Sequence, residues 1–305
     1  VHPGTATPTP TTPSSGMSLF RPLRDGYVEL AVDKEEVHGT IAKSAEYQAF
    51  TSTVNDLLSE WWTGHKARLA EITSTTRPSE LIGRLSEDLL DIFRLRPLVD
   101  EYAVYEQLMS YWNQTMHDDV ALIMSEGWEG AAKPRKTIED KERKLSETPD
   151  LVIGAGRNAV KYKTDLIPPS IIVARFFPGQ RAAVDEAFAK AELAAQATAD
   201  FIEENSGEEG LLADAMEDGK INKTLVNTQL REAKREDPHG DEVEVLTSLI
   251  GLYDAETSAK KISKDAITSL DTATLARYGE LSEIEIRELV VLDKWGTAVG
   301  TRIRA

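Results

Sequence analysis

The 305-residue sequence contains no cysteine. That excludes disulfides, thiolate catalysis and Cys-ligated zinc, and it fits a reducing, cytoplasmic setting. Positive charge is also scarce, with 35 Lys and Arg against 52 Asp and Glu and a net charge of −17. A duplex-binding face needs clustered Lys and Arg, so the acidic balance argues against this chain being a main phosphate-gripping surface. Long apolar runs are missing too. Runs such as Ile171-Ile172-Val173-Ala174, which ends at Arg175, fall far short of the roughly 18 residues a bilayer-spanning helix needs. The N-terminus lacks the basic-then-apolar order of a signal peptide, and no membrane association is expected.

What is present is ordinary for a soluble globular chain, with 41% hydrophobic and 29% charged residues and length enough for one large domain or two smaller ones. The chain opens on Val1 rather than Met, and it reads as a piece of a longer protein. Residues 1–22 are rich in Pro, Thr, Ser and Gly and read as a linker or expression remnant, because they offer too little apolar surface to offset ordering entropy. Tyr27–Val32 alternates with period two, as one short strand would.

Residues 23–126 otherwise read as a helical core. Tyr47, Phe50, Val54, Leu57, Leu58 and Trp61 recur at three- and four-residue steps, giving one apolar face. Pro78 suits the first turn of a second helix with Leu81, Leu85, Leu89 and Phe93 on its face. Tyr102, Tyr105, Met109, Trp112, Met116, Val120 and Ile123 form a third stripe. Periodicity disappears over 127–165, where Lys133, Arg135, Lys136, Lys141, Arg143 and Lys144 cluster. This basic, irregular loop or hairpin supplies the candidate DNA contacts, although Glu139, Asp140 and Glu142 interleave its charges.

Residues 166–305 read as a helical arm and a terminal helix. Val184, Ala187, Ala191, Ala194, Thr198 and Phe201 alternate three- and four-residue steps, as a coiled-coil seam does. A second long segment, about 241–270, carries Leu246, Leu249, Tyr253, Ile262, Ala266 and Leu270 inward. Ser282 and Glu285 form a capping box that opens the final helix. The expected fold is therefore mainly α, a helical core plus an elongated antiparallel, coiled-coil-like arm, with little or no sheet. Phe188, Ala191, Ala194, Ile202, Leu252 and Ile267 on the arm, and Trp128 outside it, are the candidate subunit-interface residues.

Two short motifs invite a catalytic reading. Val152-Ile153-Gly154-Ala155-Gly156 resembles the Gly-rich turn of a methyltransferase, and Asp165-Leu166-Ile167-Pro168-Pro169 resembles an adenine-gripping Asp-Pro-Pro loop. Only residues 157–164 separate them. A crossover between parallel strands needs about a dozen residues or more, and Ser170 stands where the base-stacking aromatic should be. His117-Asp118-Asp119 could begin a metal site, but such a site needs further His and Asp from other helices, and none of the other four histidines has a second histidine at helical spacing. No catalytic, cofactor-binding or metal-binding residue is assigned.

An ordered series of segments carries a resemblance. Leu85-Ser86-Glu87-Asp88-Leu89-Leu90 is followed by Pro97–Tyr105, Leu108–Trp112 and Thr115–Val120, and then by Gly127-Trp128 and Asp165–Pro168. Ile172–Phe177, Lys220–Lys223 and Leu289–Trp295 complete it. Together they resemble the region downstream of the catalytic domain in the long-form modification subunit of type I restriction-modification systems, over about Ser44 to Trp295. In that family Gln usually stands at the position of His117 and Lys at that of Pro169.

The resemblance implies a helical, non-catalytic region that associates with the specificity subunit. Further partners it implies are a second modification subunit, the restriction subunit as an additional candidate, and DNA through the complex. S-adenosylmethionine and N6-adenine methylation belong to a catalytic domain upstream, so no cofactor is expected on this chain. A stand-alone acidic helical adaptor or DNA mimic would explain the charge equally well.

Overall fold

The computed structural model describes residues 19–137, 147–154, 156–207, 210–217 and 219–304. The chain is mainly helical, with two small antiparallel sheets. It divides into two compact units, Val1–Met124 with Trp295–Ala305, and Ser125–Lys294. The C-terminal segment, grouped with the arm on sequence grounds, thus belongs with the helical core.

The first unit begins with a hairpin of β1 (Phe20–Arg24) and β2 (Tyr27–Leu30). Asp25-Gly26 makes the turn, with Gly26 at φ 77°, a position where glycine costs least. Phe20–Pro22 therefore belongs to a strand and not to a linker, while residues 1–18 lie outside the described residues. Helices α1 (Val37–Lys43), α2 (Ala45–Ala70) and α3 (Pro78–Phe93) follow. The Ser44 side chain caps α2, and Pro78 occupies the first turn of α3, as its fixed φ favours. Leu81, Leu85, Leu89 and Phe93 are buried as their spacing predicts, and Trp61 donates its indole N–H to the Leu85 carbonyl at 3.1 Å.

Helix α4 (Glu101–Tyr111) passes through a π turn, Trp112–Met116, into α5 (His117–Ala131), which breaks at Gly127 with φ 72°. The wide turn inserts a residue into the helical phase. N-terminal to it the buried face is Val104, Leu108 and Tyr111, not Tyr105 and Met109, and Tyr102 is 71% exposed. C-terminal to it Met116, Val120 and Ile123 are buried, as the stripe requires. A second π segment, Leu289–Gly296, leads into α11, Thr297–Arg304.

In the second unit, the stretch read as an irregular loop or hairpin includes a sheet of β3 (Arg135–Lys136), β4 (Leu151–Ile153) and β5 (Val160–Lys163), in the order β3-β5-β4. Helix α6 (Pro169–Phe176) leads into the arm, α7 (Pro178–Asn205) and α9 (Asp241–Tyr278), with α8 (Lys223–Glu236) folded back between them. Phe201 and Ile202, late in α7, pack with Leu246 and Leu249, early in α9. At the other end the Tyr278 hydroxyl donates to the Ile167 carbonyl at 2.6 Å, beside the start of α6. The two long helices are therefore antiparallel. Helix α10 (Glu283–Glu288) opens with the Ser282–Glu285 capping box.

The arm's register departs from expectation at one position. Leu249, Glu256, Ser263 and Leu270 stand seven apart, and the heptad keeps Ser263 in the seam while Ile262 is 59% exposed. Ala187 and Ala191, both buried, are small enough for close approach across that seam. Thr274 is fully buried, and among the described residues its hydroxyl has no hydrogen-bond partner. Thr274→Val removes an unmatched hydroxyl and keeps the side-chain shape, so we expect a gain of about 1 kcal/mol in chemical unfolding. A loss of stability would mean that the hydroxyl is bonded.

Candidate functional site

Three of the segments that carry the resemblance, Asp165–Pro168, Ile172–Phe177 and the part of Leu289–Trp295 in the second unit, meet at the base of the arm. Leu166, Ile167 and Ile172 are buried, and the Leu166 carbonyl accepts from Lys294 Nζ at 2.5 Å. Arg175, on α6, reaches Asp293 at 2.9 Å and Glu288 at 2.5 Å. The two carboxylates hold its guanidinium more firmly protonated than usual, the Asp293 hydrogen bond contributing most. Tyr278 is buried, and burial raises its hydroxyl well above the ordinary tyrosine value. It acts as a fixed donor to Ile167. Further along the arm, Asn222 caps α8 by accepting from the backbone N–H groups of Thr224 and Leu225, and Lys223 pairs with Asp254 on α9. The contacts at the base tie α6 and the residues just before it to the C-terminal end of α9, the end of α10 and the segment that follows.

The arm itself offers apolar side chains on both flanks. Phe188 follows the seam residue Ala187, and Ile267 follows Ala266, so in an antiparallel pair both fall on one flank. They are 47% and 36% exposed. Ile262 precedes Ser263 and Leu193 precedes Ala194, which puts these two on the opposite flank, at 59% and 70% exposure. Sequence reasoning placed Ile262 in the seam and did not single out Leu193. The other interface candidates are placed differently. Ala191 is buried in the seam and Ala194 partly so, Ile202 packs against the Leu246–Leu249 cluster, and Leu252 is half-buried. Trp128 is not a surface anchor: it is 4% exposed, with the Arg287 guanidinium 5.5 Å above its ring.

The basic segment also changes meaning. Arg135 Nη1 and Nη2 bond Glu147 at 2.6 and 2.8 Å, while Nε bonds Asp165 at 2.6 Å. These bonds, to Glu147 first and Asp165 next, raise its pKa further and commit the guanidinium to holding the sheet. Lys133 and Lys136 are exposed; Lys141, Arg143 and Lys144 lie outside the described residues. Burial would raise the Asp150 carboxyl, but hydrogen bonds from Lys163 and Thr164 outweigh it and hold it below the usual carboxylate range. Asp165 is thus a structural anion, and the Gly-turn strand Leu151–Ile153 pairs antiparallel with β5.

His117 is exposed beside Trp112, and the Asp119 carboxylate accepts from Trp295 Nε1 at 2.7 Å. Among the described residues no group of three or more His, Asp or Glu side chains could hold a metal ion, and no helix is long and apolar enough to cross a membrane. No family model, curated protein or solved structure matches the chain.

Proposed function

We propose that this chain is the non-catalytic, post-catalytic-domain assembly region of a type I restriction-modification N6-adenine DNA methyltransferase, and that its arm seats helices of the specificity subunit. The ordered sequence segments suggest the family, and the arm is the observation that carries the role. A pair of helices joined across Ala187, Ala191 and Ser263 buries little area per turn, and it leaves Phe188 with Ile267, and Leu193 with Ile262, in water. Helical stability comes mainly from packed apolar faces, so such a pair gains from further helices on its flanks. The β1–β2 hairpin supports the same reading. Phe20 pairs with Leu30 and Pro22 with Val28 on one face, where Phe20, Val28 and Leu30 are exposed. In this reading the catalytic domain upstream, which holds S-adenosylmethionine, covers that face.

The direct test is capture of the specificity subunit, encoded with this chain, on the immobilised protein. Retention supports the reading; a chain that holds no specificity subunit, yet retains a DNA-binding protein in its place, is the acidic adaptor or DNA mimic. DNA contact through the complex is testable separately. If Lys133 and Lys136 each neutralise a phosphate, Lys133→Ala with Lys136→Ala lowers the slope of log affinity against log salt by about 2 for the assembled enzyme. Arg135→Ala leaves that slope unchanged and lowers thermal stability, since its charge is spent on Glu147 and Asp165. Equal slope changes for both variants would contradict that division of labour.

A further inference from the structure

The first unit leaves part of a predicted core face uncovered. Tyr47, Phe50 and Val54 share the α2 stripe with Leu58 and Trp61, but only the latter two are buried. The upper half of the stripe instead forms the wall of an open groove of about 310 Å³, bounded by the α3–α4 loop, α4 and α11. That space takes two or three side chains.

Two features of the rim point to what enters. Leu95 and Leu98 hold left-handed backbone, φ 58° and 63°, and are each 90% exposed. Bulky residues rarely adopt this conformation, and it costs free energy that nothing in their own packing returns. Leu98 lies on the groove wall. The second feature is charge. The two segments flanking the groove read Arg94-Leu95-Arg96-Pro97-Leu98 and Arg302-Ile303-Arg304, alternating cation and apolar residue on a chain of net charge −17. Arg302 bonds the amide oxygen of Gln114 at 2.8 Å and Arg304 that of Asn55 at 2.6 Å, neutral partners in both cases. Among the described groove-lining residues Asp100 is the one carboxylate side chain, and it is engaged by the N–H groups of Tyr102 and Ala103 as the cap of α4.

We infer that this groove docks an acidic amphipathic helix of a partner protein, its apolar residues between α2 and Leu98 and its carboxylates on Arg302 and Arg304. The inference is independent of the family reading. A nucleic acid would use the arginines but leave the apolar wall and the two leucines unused, which is why a protein segment is favoured.

The test uses the full chain and a fluorescent helical peptide with Leu at positions i, i+3, i+4 and i+7 and Glu on the flanks. Its controls are the same peptide with Lys for Glu, and a short DNA duplex. The Glu peptide is expected to bind, and raised salt to weaken it. Arg302→Glu with Arg304→Glu, and separately Leu98→Gly, should each lower its affinity by about tenfold. Glycine adopts positive φ freely, so Leu98→Gly removes the apolar contact without disturbing the loop and covers the event that the arginine variant misfolds. Failure of the Glu peptide to bind at millimolar concentration overturns the inference, as does equal binding of the Lys peptide. Binding untouched by both sets of substitutions, or DNA binding in place of the Glu peptide, overturns it too.

Discussion

Trp295→Ala is expected to destabilise the first unit by about 3–5 kcal/mol, the range for truncating a large buried aromatic. The side chain is fully buried, the largest such among the described residues. It leaves the π segment Leu289–Gly296 immediately before α11, whose Val299 is 1% exposed. Its indole N–H also donates to the buried Asp119 carboxylate at 2.7 Å, bringing together residues 176 apart in sequence. Trp295→Phe separates the two effects. It keeps most of the packing and withdraws one donor from the buried Asp119 carboxyl group, for which about 1–3 kcal/mol is expected. Urea unfolding of the three proteins measures both. A Trp295→Ala midpoint within error of the parent would mean that α11 is not part of this core.

The second large effect concerns assembly. Phe188→Glu with Ile267→Glu places two carboxylates on one exposed flank of the arm. If that flank seats a helix of the specificity subunit, affinity falls by at least about thirtyfold, ~2 kcal/mol, as for loss of central apolar anchors. The arm itself stays folded, since exposed substitutions change stability by only about 0.5 kcal/mol. Leu193→Glu with Ile262→Glu tests the other flank in the same way. Ala191→Glu is a poor substitute: it buries a charge in the α7–α9 seam, where Ala191 is 8% exposed, and unfolds the arm it is meant to probe. Surface titration of the captured subunit against each variant distinguishes these cases. Parent-like affinity for both flank variants would remove the arm as the interface.

Much of the helical architecture was legible because its signals are local. The Ser282–Glu285 box, Pro78 at the first turn of α3, and the Leu81–Phe93 stripe each specify themselves within a turn or two of helix. The failures share a cause, which is that the phase of a helix or the pairing of a strand was set outside the stretch being read. The π turn at Trp112–Met116 moved the buried face of α4 from Tyr105 to Val104, and no residue in that stretch announces it. Ser263 displaced Ile262 from the seam because leucines at either end of the heptad series fix the register. The pairing of β3 with β5 joins segments separated by the least periodic part of the chain. For the site, the arm and its Ala seam were readable, and Phe188 and Ile267 stand where a partner could reach them. Trp128 was not readable: off its stripe it looked exposed, whereas the structure buries it under Arg287. Arg135 looked like a phosphate ligand until Glu147 and Asp165 closed on it. Charge pattern alone does not say which cations are already paired.

The most direct measurement of the proposed assembly role is amide hydrogen exchange on this chain, alone and with the proposed partner, a specificity subunit, at saturation. Protection is expected to rise along α7 and α9 around Phe188, Leu193, Ile262 and Ile267, with smaller changes in α2 and α3. A saturated complex whose arm amides exchange as fast as in the free chain, with protection gained only in the first unit, would contradict the assignment of the arm as the assembly surface.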